Sequence, residues 1–520
     1  MENNKNPLHE KYGLAKDWYK KNVTVRQGLE QEWREAAQLT LPYVFPTEDT
    51  SEEAIMPTPF NSIGAAGVNS LASKLLLALL PPTGVFFRLL PDTKIKEQIS
   101  KEEIKQLDVD LARVENDVVE YINQKALRVP VYEAIKLLAV TGNAMMYKVP
   151  KGGIKVFSPY QYVTQRDYVG NILTQCILEK MDRTALPEKV LKQIASAEGE
   201  PLDKEKAEKS EVEVYTMIVS SGPNKFKVWQ EIEDIVIDNT EKDYTNTTIP
   251  YITLRWTTVN NESYCRGLVS QYLGDLRSLE GLTQTIVEGA GISAMHLFGL
   301  RPGSTLKVED LNNAKNGEFV LGDLEREVSV LQINKGADLQ VPLSLMSQLE
   351  QRLGRAFMML GGQIRDSERT TAAEVRATAA ELEATLGGVF SVLANEFQTP
   401  LITLILQELS PQVLKISTPS ITTGISAISR EKDFNNLNTM LQSIAQLGPE
   451  VIAQYLNIPA YLAQVATSLG MSPESIVKSQ EQIQQEQQAQ QQAQQQAMMQ
   501  QQAMQTGSQM LVDNNKQGEK

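Results

Sequence analysis

Residues 371–409, TAAEVRATAAELEATLGGVFSVLANEFQTPLITLILQEL, read as one long helix. Thr371 and Glu374 have the capping-box spacing, in which the threonine oxygen takes an orphan backbone N–H and the glutamate reaches back to the cap. Val375, Ala379, Leu382, Leu386, Phe390, Leu393, Phe397, Leu401 and Leu404 follow at steps of three and four and line one face. Glu374, Arg376, Glu381 and Glu383 take the other side. At about 1.5 Å per residue such a helix runs roughly 55–60 Å, longer than a small domain is wide, so it must pack against more than one body. Gly387 and Gly388 each cost about 1 kcal/mol against alanine, and Pro400 about 3 kcal/mol in a regular helix interior, so bends are expected at both places.

The wording of this segment closely resembles the portal, or head-to-tail connector, proteins of short-tailed bacteriophages (podoviruses, Autographivirus-like). The resemblance continues in NSIGAAGVNSLASKLLLALLPP (61–82), YVTQRDYVGNIL (162–173) and ESYCRGLVSQYLGDLRSLEGLTQTIVEG (262–289). Four extended matches in the expected order are more specific than any short motif. Departures lie mainly in residues 198–210 and beyond Gly470.

With 520 residues and 42% hydrophobic side chains, the chain is long and apolar enough for several folded lobes. Its net charge of −14 is opposite to the basic surface a general nucleic-acid binder uses to displace counterions, and tight non-specific DNA binding is disfavoured. The same balance suits a conduit whose wall repels phosphate and so does not hold a sliding duplex. It is also ordinary for a soluble protein. Two cysteines, Cys176 and Cys265, are too few for a secreted disulfide framework, and no secretory signal opens the chain. The apolar stretches 71–80, 281–300 and 389–406 are short or carry Lys74, Glu288, His296, Glu396 and Pro400, so no membrane insertion is expected. Only His9 and His296 are available for imidazole chemistry, and there is no G-x-S-x-G, phosphate loop, G-x-G-x-x-G, C-x-x-C or H-E-x-x-H. Catalysis and cofactor binding lose their usual signatures. A metal site made only of carboxylates stays open, although solvated helix faces explain the same residues.

Amphipathic helices read at 9–39, broken near Val23, at 61–80, at 101–124 and at 131–140. Strands then read at 144–149, 154–157, 162–166, 172–179, 213–219, 225–230 and 251–256, with an exposed charged loop at 198–210. From Glu262 the helical period returns, with Val269, Tyr272, Leu276, Leu279 and Ile286 on one stripe. Gly267, Gly274 and Gly281 fall seven apart, close to one helical line, and are either a flat strip for a neighbouring helix or scattered flexibility. A mixed segment follows, with a short helix at 308–315 and strands at 318–321 and 328–333. The next helix, 342–357, carries Leu345, Leu349, Leu353 and Phe357 on one face. It ends at Gly361-Gly362.

The resemblance implies an α+β fold, predominantly α, with the wing, stem, clip and crown of portals. On that basis 1–142 is the helical wing, 143–260 the β-rich wing, 261–296 and 338–357 the stem, and 297–337 the clip. Residues 358–370 are then the tunnel loop, 371–410 the long kinked wing helix, 411–479 the crown and 480–520 a glutamine-rich end. The tunnel loop projects into the channel in that family, which makes Arg352, Arg355, Arg365 and Arg369 candidates for touching phosphates. Ordinary ion pairs with Asp366, Glu368 or neighbouring subunits are the competing reading. The tract 480–505 is almost all Gln, Ala and Met, and either a helix supported by neighbours or disorder fits it.

The resemblance further implies a homo-oligomeric ring of twelve at one capsid vertex of the virion, assembled in the host cytoplasm. Double-stranded DNA passes along its axis, terminase docks on the clip, tail or adaptor proteins replace it, and major capsid and scaffolding proteins surround it. Two other classes stay open on sequence: a magnesium-dependent viral nuclease and a membrane-active virion protein.

Overall fold

The computed structural model describes residues 7–45, 56–82, 85–92, 101–198, 211–294, 296–317, 319–332, 339–359, 381–382, 384–386 and 388–421, with single positions at 439, 442, 461, 462 and 465. The expected cap at Thr371, the loop 199–210, the helical region 430–469 and the glutamine tract lie outside them, apart from those single positions. The chain divides into two units, Met1–Leu90 with Val114–Gly424, and Pro91–Arg113 with Ile425–Lys520. In the second, the described stretch is the first half of a helix, where Asp110 and Arg113 pair at 3.5 Å.

Helices α1 (Pro7–Tyr12) and α2 (Ala15–Gln38) open the first unit. They are separated at Gly13, φ +76°, and not near Val23 as the sequence suggested. Only glycine takes that left-handed conformation without strain, whereas Val23 lies within an uninterrupted helix. Further helices are α3 (Ile63–Leu79), α4 (Lys101–Gln124) and α5 (Arg128–Thr141). Pro130 stands in the first turn of α5, where its missing N–H has no intrahelical partner to lose.

The strands are β1 (Phe87–Pro91), β2 (Asn143–Lys148), β3 (Ile154–Phe157), β4 (Tyr162–Arg166), β5 (Ile172–Asp182), β6 (Glu211–Gly222), β7 (Lys225–Ile232), β8 (Ile235–Val236), β9 (Lys242–Thr245) and β10 (Tyr251–Arg255). An antiparallel sheet runs β4–β5–β6–β7–β8 with β9 on β7, and a smaller one runs β10–β2–β3. Alternation on β5, β6 and β7 feeds two cores. Cys176, Tyr215, Met217 and Trp229 pack under Leu8, Ala15 and Tyr19, while Ile177, Ile218 and Val228 pack with Met145, Phe157 and Tyr162. Burial on both faces explains why these strands read as nearly continuous apolar runs. The helix α6 (Glu188–Glu198) between β5 and β6, and the strands β1, β8 and β9, were not anticipated.

Beyond β10 the structure corrects several expectations. Helix starts at α7 (Leu268–Gln271) and, after a break at Tyr272, continues as α8 (Leu273–Ala294). His296–Leu300 is strand β11, paired antiparallel with β12 (Val328–Gln332). The strand expected at 318–321 is absent at the described positions 319–321; β12 has found its partner upstream instead. Short helices α9 (Val308–Asn313) and α10 (Leu324–Glu327) complete this lobe, and α11 (Gln340–Ala356) follows. The long C-terminal helix is described as α12 (Gly388–Leu393), a π-helical turn Ala394–Gln398, and α13 (Thr399–Leu409). A final strand, β13 (Ser417–Ile421), pairs with β1. The fold is α+β and mostly helical.

Gly142 ends α5 at φ +79°, with its N–H bonded to Leu138 O. A Cβ there would lie 2.4 Å from the Arg266 carbonyl carbon. Strain and clash therefore act together, and Gly142→Ala is expected to lower stability by about 2–4 kcal/mol. The check is a lower urea midpoint for loss of the far-ultraviolet signal.

Candidate functional site

The long helix meets the body through charge as well as apolar contact. Leu393, Phe397, Leu401, Ile402 and Ile405 are buried along it. Glu381 holds Lys74 of α3 at 3.1 Å, Glu396 holds Arg255 of β10, and Glu408 holds Lys148 of β2 at 3.2 Å. The π-helical turn answers Pro400. In a regular helix the proline ring would press on the carbonyl of Glu396, four residues back, and its missing N–H would leave that carbonyl open. Widening the turn, with Thr399 N–H bonded to Ala394 O, places one extra residue there. Gln398, fully buried, donates to Leu79 O at 2.6 Å and ties the same turn to the end of α3. Gly388 begins α12, and Gly387 lies outside the described residues.

Glu408 is the most heavily bonded of these carboxylates. It accepts from the Tyr121 hydroxyl at 2.7 Å, from Lys148 Nζ and from Lys151 N–H at 2.9 Å. Burial pushes its pKa up, but the bonds from Tyr121, Lys151 and Lys148 outweigh burial and hold it below the usual carboxylate value. The same burial and the Glu408 carboxylate push the Tyr121 phenol up.

Helices α8 and α11 form an antiparallel pair. Tyr272 meets Phe357 with ring centroids 6.2 Å apart, Asp275 meets Arg352 at 3.0 Å, Thr283 Oγ1 donates to Met346 Sδ at 3.8 Å, and Leu339 packs over Gly289. Each step forward on one helix is a step back on the other. Asn61 bridges the pair from outside, donating to Thr283 and Glu350, and Glu280 accepts the backbone N–H groups of Phe60 and Asn61. Glu35 of α2 clamps Arg277 with bonds of 2.6 and 2.8 Å, which hold its carboxyl pKa low.

The pair is dry at one end only. Leu276, Leu279, Leu353 and Phe357 are buried, whereas Val287, Ile292, Val341, Leu343 and Leu345 stand exposed toward the β11–β12 lobe. Leu345, expected on the inner stripe, is thus outside it. The inner row of α11 is Pro342, Met346, Leu349 and Leu353. The lobe itself carries Phe298, Phe319 and Leu321 in the open, Phe319 fully so at 101%.

The three glycines separate. Gly267 is not on the helix: it is the residue before α7, and a Cβ there would lie 2.6 Å from the carbonyl oxygens of Ala139 and Val140. Its role is close internal packing against the end of α5, and the even spacing did not reveal the helix break. Gly274 and Gly281 lie on α8, exposed, with nothing within 4 Å of an added Cβ. Nothing inside one copy requires glycine at either place. Arg352 is ion-paired within the chain while remaining 61% exposed, and Arg355 is exposed. Gly361, Gly362, Arg365 and Arg369 lie outside the described residues.

Both cysteines are free and buried, and burial raises both thiol pKa values. Among the described residues no cluster of His, Cys, Asp and Glu could hold a metal ion, and no helix is long and apolar enough to cross a membrane.

Residues 13–477 match the family described as bacteriophage head to tail connecting protein. The chain belongs to that family. The portal protein of Enterobacteria phage T3 is 34% identical over 482 residues, covering 90% of this chain and 89% of that one. The portal protein of Escherichia phage T7 is 33% identical, covering 91% and 89%, and that of Enterobacteria phage SP6 is 30% identical, covering 86% and 87%. Among solved structures, a chain of the virion of a native gene transfer agent particle aligns with a TM-score of 0.37, 11% identity, and coverage of 79% of this chain and 91% of that one. As a head-to-tail connector, the chain is a structural component of a phage particle.

The Glu408 cluster is expected to make the folded connector chain acid-sensitive. A carboxyl whose folded pKa is depressed contributes stability that is complete above its unfolded pKa, near ~4.3, and is lost as pH falls through the folded value. Glu408→Gln keeps the shape but leaves Lys148, 2% exposed, without its counter-charge. The expected cost at pH 7 is about 2–3 kcal/mol, below the full buried-pair penalty because Glu408 is itself one-fifth exposed. Thermal unfolding between pH 7 and pH 3 should show a smaller acid-dependent loss in this variant than in the parent.

Proposed function

We propose that the chain is the portal subunit of a phage head: a ring of identical copies at one capsid vertex, with double-stranded DNA passing along its axis during packaging and ejection. The observation that carries this is the outer half of the α8–α11 pair, where Val287, Ile292, Val341, Leu343 and Leu345 are exposed in a single copy. Exposed apolar side chains on two helices, with Val341 and Leu345 one turn apart on one face of α11, are stable when covered, and copies side by side around an axis cover them with heterologous contacts that close into a ring. In this reading 261–296 and 338–357 are the stem, 297–337 the clip, 358–370 the tunnel loop and 371–410 the long wing helix. The exposed face bearing Gly274, Ser278, Gly281 and Thr285, spaced by four, three and four, is where the next stem helix approaches. Twelve copies, terminase on the clip, tail or adaptor proteins after filling, and surrounding capsid and scaffolding proteins complete the proposal. Assembly then takes place in the host cytoplasm, and the chain itself catalyses no reaction.

Three results are expected. The purified chain, 57.9 kDa as one copy, should form particles many times that mass with a central hole in negative stain; a monodisperse monomer at high concentration removes the reading. Gly274→Leu should reduce ring yield without lowering the stability of the folded copy, since its side chain meets nothing inside the chain. Reversing Arg365 and Arg369 to Glu should leave rings intact and impair DNA packaging or retention; unchanged packaging would assign those arginines to ordinary ion pairs.

A further inference from the structure

The turn between β4 and β5 is a built tip. Asp167 Oδ1 accepts the N–H groups of Val169 at 2.9 Å and Asn171 at 2.8 Å, and Oδ2 accepts from Asn171 Nδ2 at 3.0 Å. Arg166 donates to Gly170 O at 2.8 Å, and Gly170 takes φ +98°. This scaffold lifts two side chains away from the body: Tyr168 is 88% exposed and Val169 is 65% exposed. A rigid aromatic tip loses little conformational freedom on docking.

At the other end of the same hairpin lies a cavity of about 870 Å³, lined by Tyr19, Val23, Tyr43, Tyr160, Leu178 and Tyr215 among others. Ile172 faces Arg166 beside the tip, and Leu178 at the cavity is six residues farther along β5, so tip and cavity are about 20 Å apart. A copy's own tip therefore does not fill its own cavity. The charges match as well. Lys20 and Lys180 stand exposed at the cavity edge, opposite in sign to the Asp167 carboxylate under the tip. Glu133 pairs with Lys136 at 2.7 Å, and Glu213, which accepts from the Tyr215 hydroxyl at 2.7 Å, stands opposite Lys180 across the β5–β6 ladder, so the complementary charge open to the tip is chiefly that of Lys20.

We infer that the Tyr168–Val169 tip of one copy docks into the tyrosine-lined cavity of a second copy of this chain, giving the wing a head-to-tail contact separate from the stem. This rests on the ring reading, because two unlike patches at opposite ends of one element generate a closed ring when copies repeat by rotation. Tyr168 supplies area and a hydroxyl, Val169 fills beside it, and Asp167 approaches Lys20.

The full-length chain carrying Val169→Cys together with Lys20→Cys tests the contact. A disulfide needs Cα atoms about 4.4–6.8 Å apart, which the ~20 Å separation within one copy forbids. Cys176 and Cys265 are buried and do not compete. Mild oxidation should give a ladder of covalent multimers on a denaturing gel, abolished by reductant and absent from either single variant. Independently, Tyr168→Ala with Val169→Ser should raise the concentration for half-assembly about tenfold. Intact rings without the ladder, or an unchanged assembly concentration for the double variant, overturn this inference and leave the ring itself standing. An unchanged assembly concentration together with weakened binding of the capsid protein in the Tyr168→Ala, Val169→Ser variant would assign the tip to that partner and likewise overturn it. Failure of the unmodified chain to form rings would instead sink the reading on which it rests.

Discussion

Three glutamates, Glu381 upstream of α12, Glu396 in the π-helical turn and Glu408 on α13, are each neutralised by a cation from a different element and set the frame of the first unit. Glu381, Glu396 and Glu408 reach Lys74 on α3, Arg255 on β10 and Lys148 on β2. Lys148 and Lys74 are nearly inaccessible to solvent, so neither keeps its charge cheaply without its carboxylate. The pairs add direction to an otherwise non-directional apolar seam of Leu393, Phe397, Leu401 and Ile405. A helix held only by such a seam can slide by a turn; one pinned at three charges cannot do so without stranding them.

The π-helical turn is a consequence of the same constraint. Pro400 forbids a regular turn, yet the Glu396 and Glu408 contacts lie on either side of it and require the helix to continue. Inserting one residue keeps the chain helical and shifts the preceding face. Gln398, buried within the turn, spends its side-chain amide on the end of α3. Backbone irregularity, ion pair and side-chain cap are thus one arrangement.

The sheet-bearing body and the paired helices differ in how completely one copy satisfies them. The β5–β6–β7 sheet is covered on both faces, by α1 and α2 on one side and by the β2–β3 region on the other. The α8–α11 pair is covered only near Leu276, Leu279, Leu353 and Phe357. The contrast is between a body covered on both faces and a helix pair whose outer apolar side chains stay open in one copy.

Much of this was legible in the sequence, because periodicity is a local property. The strand 154–157, the strand 162–166 and the helix 101–124 were placed at their observed limits, since period-two and 3.6-residue patterns arise from side chains a few residues apart. The four family-like stretches settled the family, which the full-length relatives bear out. Other features were decided by distant partners. Gly267 kept an even spacing with Gly274 and Gly281, but only the approach of Ala139 and Val140 makes it a packing residue outside the helix. The sequence ends the helix at His296 and offers no strand directly after it; His296–Leu300 becomes one only when Val328–Gln332 arrives to complete its backbone hydrogen bonds. Glu408 looks like one more solvated glutamate until Tyr121, Lys148 and Lys151 converge on it from sequence separations of more than two hundred residues. Sequence determined the longer helices and the central strands, whose periodicity is local; tertiary structure decided the short strands and helices, the pairing of β11 with β12, and which charges, turns and glycines carry weight, because those depend on groups that only folding brings within a few ångströms.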